Sequence, residues 1–81
     1  MKKKQAQIGN FYQGKSELLK NKFTGKVLSK LTNVAIIHIT EWNPKDDYKV
    51  KELVLKIAVK YSDLTPIQSN TLHPILNKLN L

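Results

Sequence analysis

Periodicity in this chain points to a mainly β domain with some helix: a small barrel of about four to five antiparallel strands, with a short helical segment at the C-terminus. Two β-rich blocks carry that expectation, KFTGKVLSKLTNVAIIHIT from Lys22 and VLKIAVKYSDLTPI ending at Ile67. Each is rich in branched aliphatic residues, and long stretches alternate apolar with polar, the two-residue period of a strand that buries one face. The polar stretch EWNPKDDYKVKE separates them, and its proline and acidic residues interrupt strand pairing.

From the N-terminus, residues 1–10 are expected to form a flexible basic arm, because Lys2, Lys3 and Lys4 repel one another and no apolar period follows. Residues 11–81 then make up one small barrel domain with its helical tail. Ser16 is placed to cap a short helical turn through Leu18, Leu19 and Lys20, although Gly14 before it also suits a turn between strands. Phe23, Gly25, Val27, Ser29 and Leu31 fall on one strand face, with Thr24, Lys26, Leu28 and Lys30 on the other. Leu31, Thr32 and Asn33 suit a turn. The nearly all-apolar run Val34 to Thr40 then reads as a central strand covered on both faces.

The segment from Glu41 to Lys49 reads as an exposed loop that projects Trp42 and Tyr48. Beyond it, Leu53, Leu55, Ile57, Val59 and Tyr61 alternate with Val54, Lys56, Ala58 and Lys60, a strand with a lysine-bearing outer face. Thr65, Pro66 and Gln68 make a helix-start signal, with a capping hydroxyl, a proline at the first helical position and an amide able to reach back. Leu72, Ile75, Leu76 and Leu79 follow at helical spacing, and Pro74 among them predicts a kink.

Composition narrows the functions on offer. At 81 residues, the chain has no room for a deep multi-part active site. With 41% hydrophobic residues it has enough apolar side chains to fold instead of remaining disordered. There is no cysteine, which excludes a disulfide framework and thiolate metal sites and favours a reducing, cytoplasmic compartment. The start has positive charge but no apolar stretch behind it, and no window approaches a membrane span.

The net charge is +8, and it is uneven: Met1 to Lys30 carries eight lysines against one acid, Glu17. Such a balance points to a polyanionic partner, either nucleic acid or an acidic protein surface. All fourteen basic residues are lysine. Lysine is a hydrated point charge without the planar fork of arginine, so base-specific reading in the major groove is disfavoured. Lysine, asparagine and isoleucine richness is also what an AT-rich genome produces.

Several motifs have two readings. Gly9 to Ser16 satisfies the phosphate-loop pattern G-x-x-x-x-G-K-S, yet no apolar strand precedes it and bulky Phe11 and Tyr12 occupy the loop, so it reads as a coincidental turn. His38 lies mid-strand and His73 precedes a proline, with no ligand partner at a useful spacing on either element. No nucleophile, acid/base pair or metal cluster can be assembled, so no enzyme and no cofactor are expected. Trp42 either stacks on a base or anchors a protein, or it covers the open end of the barrel.

The run FTGKVLSKLTNVAIIHI resembles the G-x-V…N-x-A-[IV]-[IV]-x-I hairpin of small SH3-like barrels of the translation-elongation-factor and ribosomal-protein (KOW) type. VLKIAVKYSDLTPI resembles their closing strand and terminal turn. Proteins of this kind often bind RNA, DNA or other proteins, and the resemblance implies a binding module of that sort. The long segment from Trp42 to Tyr48 and the helical tail depart from the minimal pattern.

These readings converge on a small basic accessory protein of bacterial, phage or mobile-element type that binds nucleic acid with low sequence specificity. Lys26, Lys30, Lys56 and Lys60 on the strands, with Lys45, Lys49 and Lys51 in the adjoining segment, are expected to meet phosphates. Trp42 and Tyr48 are expected to add aromatic contacts. The alternative is a protein-interaction module, an inhibitor or assembly factor docking on an acidic surface of a larger enzyme.

Overall fold

Five antiparallel strands form one sheet in a computed structural model that describes residues 1–67. The strands are β1 (Phe11–Gly14), β2 (Phe23–Lys30), β3 (Val34–Glu41), β4 (Lys56–Lys60) and β5 (Leu64–Pro66), and their spatial order is β4-β3-β2-β1-β5. Between β3 and β4 lie a 3-10 turn, Pro44–Asp46, and one short helix, α1 (Asp47–Glu52). No helix among the described residues is long and apolar enough to cross a membrane.

The sheet is strongly curled. β4 ends at Lys60 on one edge and β5 begins at Leu64 on the other, joined only by the 3-10 turn Tyr61–Asp63. Four chain steps reach about 14 Å at most, whereas a flat five-stranded sheet would hold its edges about 19 Å apart. The edges therefore bend toward each other, although no ladder joins β4 to β5 among the described residues. Two irregularities between β2 and β3, at Thr24/Gly25 and at Val27/Ser29, supply local bending. A Cβ on Gly25 would overlap Ile37 Cγ2 and sit 2.7 Å from the His38 carbonyl oxygen, so only glycine fits that bend.

Inside the curl, Tyr12, Phe23, Val27, Ala35, Ile37, Ile39, Ile57, Val59 and Leu64 pack together, and Leu19, Val50 and Tyr61 from the connections, with Ala6 from the N-terminal segment, complete the core. The alternation expected for β2 and β4 decides which of their residues enter it. β3 differs from expectation on its other side: Val34, Ile36 and His38 are half-buried, so the strand is covered on one face only. Its β-branched residues fit an antiparallel strand whose outer face keeps partial contact with water.

Three further expectations are corrected. The extra residue Leu28 in β2 sets Ser29 opposite Ile36 and Lys30 opposite Ala35, so Lys30 leaves the face that carries Lys26. The strand expected from Leu53 begins only at Lys56, because Leu53–Leu55 turn the chain from α1 into β4, with Val54 (φ 57°) and Leu55 (φ 62°) both left-handed. The segment expected as a loop from Glu41 to Lys49 holds the 3-10 turn and the first half of α1. There the Asn43 side chain accepts from the Lys45 amide at 2.8 Å and Pro44 occupies the first helical position.

The first ten residues, expected as a flexible arm, lie against the sheet at several points. The Met1 ammonium donates to the carbonyls of Tyr61 and Leu64, both at 3.0 Å. Ala6 is fully buried, and the Gln7 amide donates to the Tyr12 hydroxyl at 2.9 Å. Ser16 caps a turn and no helix: its hydroxyl accepts from the Leu18 amide. Thr65 and Pro66, read as a helix start, belong to β5. The helical period from Leu72 to Leu79, like His73, lies outside the described residues.

Candidate nucleic-acid interface

Cross-strand register builds a row of side chains over the outer face of four strands. Phe11 on β1 faces Lys26 on β2, Lys26 faces His38 on β3, and His38 faces Lys56 on β4. Residues directly opposite in a ladder share a face. This row therefore lies on the side of the sheet opposite the core. One step along, Ser29, Ile36 and Ala58 form the next row, and Lys60 faces Val34 beyond it.

Distances across this face follow from sheet geometry. Lys26 and Lys56 stand two strand spacings apart, about 10 Å, and Lys56 and Lys60 are about 13 Å apart along β4. The Lys26 ammonium lies 5.9 Å from the centre of the Phe11 ring, within cation–π range. Phe11 is 48% exposed, so the ring remains open to solvent despite that contact. On the other side of the row lie Gln13, Thr24 and Glu41, and Glu41 is the carboxylate that borders the face.

Lys26, Lys56 and Lys60 take part in no salt bridge among the described residues; the pairs that form there are Lys49–Glu52 and Lys51–Asp47. Both pairs belong to α1, so two of the lysines expected to meet phosphates already have acidic partners. Lys45 is exposed beside them, and Tyr48 is 81% exposed. Lys30 belongs to a third place: with Lys2, Lys3 and Lys4 it lines a shallow depression of about 450 Å³. The structure thus brings Lys26, Lys56 and Lys60 together, separates Lys30 from them, and sets Lys45, Tyr48, Lys49 and Lys51 on the β3–β4 connection.

Trp42 is half-buried against the core, and its indole N–H donates to Asp47 Oδ1 at 3.0 Å. Lys51 binds the other oxygen of that carboxylate at 3.1 Å. The Trp42 hydrogen bond, followed by that from Lys51, outweighs partial burial and holds the Asp47 carboxyl below its ordinary value. With its one polar group engaged and one side on the core, Trp42 has less surface to offer a partner than Phe11 has.

The phosphate-loop pattern is built differently from a phosphate cradle. Gly9 alone is left-handed, its amide donates to the Val27 carbonyl at 2.9 Å, and Phe11–Gly14 is a strand paired with β2 and β5. Backbone donors of that strand face neighbouring strands and do not converge on a ligand.

The G-K-S pattern, which suits a turn, masks Phe11 as a strand residue in the sequence. Alternation of Phe11 and Gln13 with Tyr12 and Gly14 was the available signal. Comparison with protein-family models, with characterised proteins and with solved structures gives no match.

Proposed function

We propose that this chain is a small nucleic-acid-binding accessory protein of low sequence specificity, and that the outer face of β1 to β4 is its contact surface. The row Phe11, Lys26, His38 and Lys56, with Lys60 nearby, carries the reading, because it joins ammonium groups that have no acidic partner among the described residues to an open aromatic ring on paired strands. Ammonium groups held on strands need little further ordering when they meet phosphates. An all-lysine surface suits phosphate contacts better than base-edge recognition.

The same proposal takes the curled sheet as a small SH3-like barrel. Its support is the order β4-β3-β2-β1-β5 with a single 3-10 turn returning the chain from β4 to β5. A cytoplasmic location belongs to this reading as well, and the cysteine-free composition supports it.

Fluorescence anisotropy with labelled single- and double-stranded oligonucleotides, repeated over a salt series, tests the function. Binding in the range of about 1 to 100 μM at physiological salt is expected. With Lys26, Lys56 and Lys60 on phosphates, log K against log salt should slope about −3 for duplex. Absence of binding to every oligonucleotide at low salt contradicts the proposal, as does recovery of one stoichiometric protein partner that survives nuclease treatment.

A further inference from the structure

Resting on that proposed function, we infer that the outer face takes single-stranded nucleic acid, with Phe11 as the platform on which a base stacks. Phe11 lies outside the buried core, and its ring is half open to water. The face around it is not a plain basic patch. Between the ammonium groups of Lys26, Lys56 and Lys60 lie His38, Ile36 and Ala58, so charged and apolar groups alternate at distances of about 5 to 7 Å.

A duplex presents phosphates outward and keeps the π-faces of its bases stacked inside. Reading it requires a helix or ribbon that enters a groove, and this face is a curled sheet with no projecting element on it among the described strands. Duplex phosphates would meet the lysines but would also lie over Ile36 and Phe11, where they lose hydration and gain no hydrogen bond in exchange. A single strand offers both chemistries at once: unstacked bases for Phe11 and the aliphatic surface, and phosphates for the lysines. Lys26, beside the ring, is placed to hold a phosphate next to the stacked base.

The test measures binding of a labelled mixed-sequence single strand and its duplex at one salt concentration. Wild type, Phe11→Ala, Phe11→Thr and Phe11→Tyr are compared, with folding checked by Trp42 fluorescence and thermal melting. The single strand is expected to bind at least tenfold more tightly than the duplex. Both Phe11→Ala and Phe11→Thr should weaken single-strand binding about 5- to 150-fold, the range that base–aromatic stacking supplies. Duplex binding should change by a smaller factor than single-strand binding, and Phe11→Tyr should retain the single-strand affinity. Threonine preserves strand propensity, so it separates loss of the π-face from loss of fold.

Equal affinity for the two forms, or a single strand indifferent to loss of the ring, overturns the inference and leaves the proposed function standing. Failure of wild type to bind either form removes the proposed function itself.

Discussion

Asp46 is buried, and its carboxylate ties two connections together. It accepts from the amides of Lys20 at 3.1 Å and Asn21 at 3.0 Å, and from the Asn21 side chain at 3.3 Å, fastening the β1–β2 connection to the 3-10 turn before α1. Burial alone would raise its pKa, but these hydrogen bonds and the Lys20 charge outweigh it and hold the carboxyl below its ordinary value of 3.8. A carboxyl with a lowered folded pKa stabilises the fold fully above its unfolded value, and that contribution fades as pH falls through the folded value. Thermal melts should therefore lose stability as pH drops toward and below 3.8, and Asp46→Asn should lower Tm by several degrees at pH 7 while flattening the acid response. Gly25→Ala forces Ile37 and the His38 carbonyl apart and should cost about 1–3 kcal/mol in chemical denaturation. On the outer face, Glu41→Gln removes the bordering carboxylate and should raise oligonucleotide affinity about two- to fivefold at low salt, an effect that fades at high salt.

At the scale of elements, the turn from α1 into β4 is the strained part of the chain. The Lys56 amide donates to the Leu53 carbonyl at 3.3 Å around Val54 and Leu55, both left-handed, the geometry of a two-residue turn that favours asparagine and glycine. Val54 is β-branched and 73% exposed, so it bears that strain without burying its side chain in return. Val54→Asn should stabilise the protein by about 0.5–1 kcal/mol, read as a higher denaturant midpoint with an unchanged slope. The same turn marks where the sequence stops being legible. Leu53, Val54 and Leu55 continue the apolar alternation of β4, and nothing in residue type announces two positive φ angles. The bulge at Leu28 is hidden for a similar reason, since a one-residue slip leaves composition unchanged while moving Lys30 to the other side. Asn43-Pro44 with two aspartates behind it was a readable helix start, obscured by the proline and acids that also suit loops. By contrast, Phe23, Val27, Ile57 and Val59 could be assigned to the core because their alternation runs unbroken where they lie, whereas the all-apolar run around Ile37 and Ile39 does not say which face is covered.

Across the whole molecule, charge is unevenly matched between the helix and the strands. Lysines on α1 have acidic partners, whereas those on the strands among the described residues do not. A chain with net charge +8 repels itself, so added salt should raise Tm modestly while weakening oligonucleotide binding, two trends of opposite sign with one electrostatic origin. Lys26, Lys56 and Lys60 could be read from sequence as one face because each lies in an unbroken stretch of alternation; Phe11 and Lys30 needed the ladder register. The most direct measurement is the salt slope of single-strand binding for wild type against the triple variant Lys26→Ala, Lys56→Ala, Lys60→Ala. Loss of three phosphate contacts should make the slope shallower by about 2. A slope unchanged by the triple variant would place the contacts elsewhere and contradict the account.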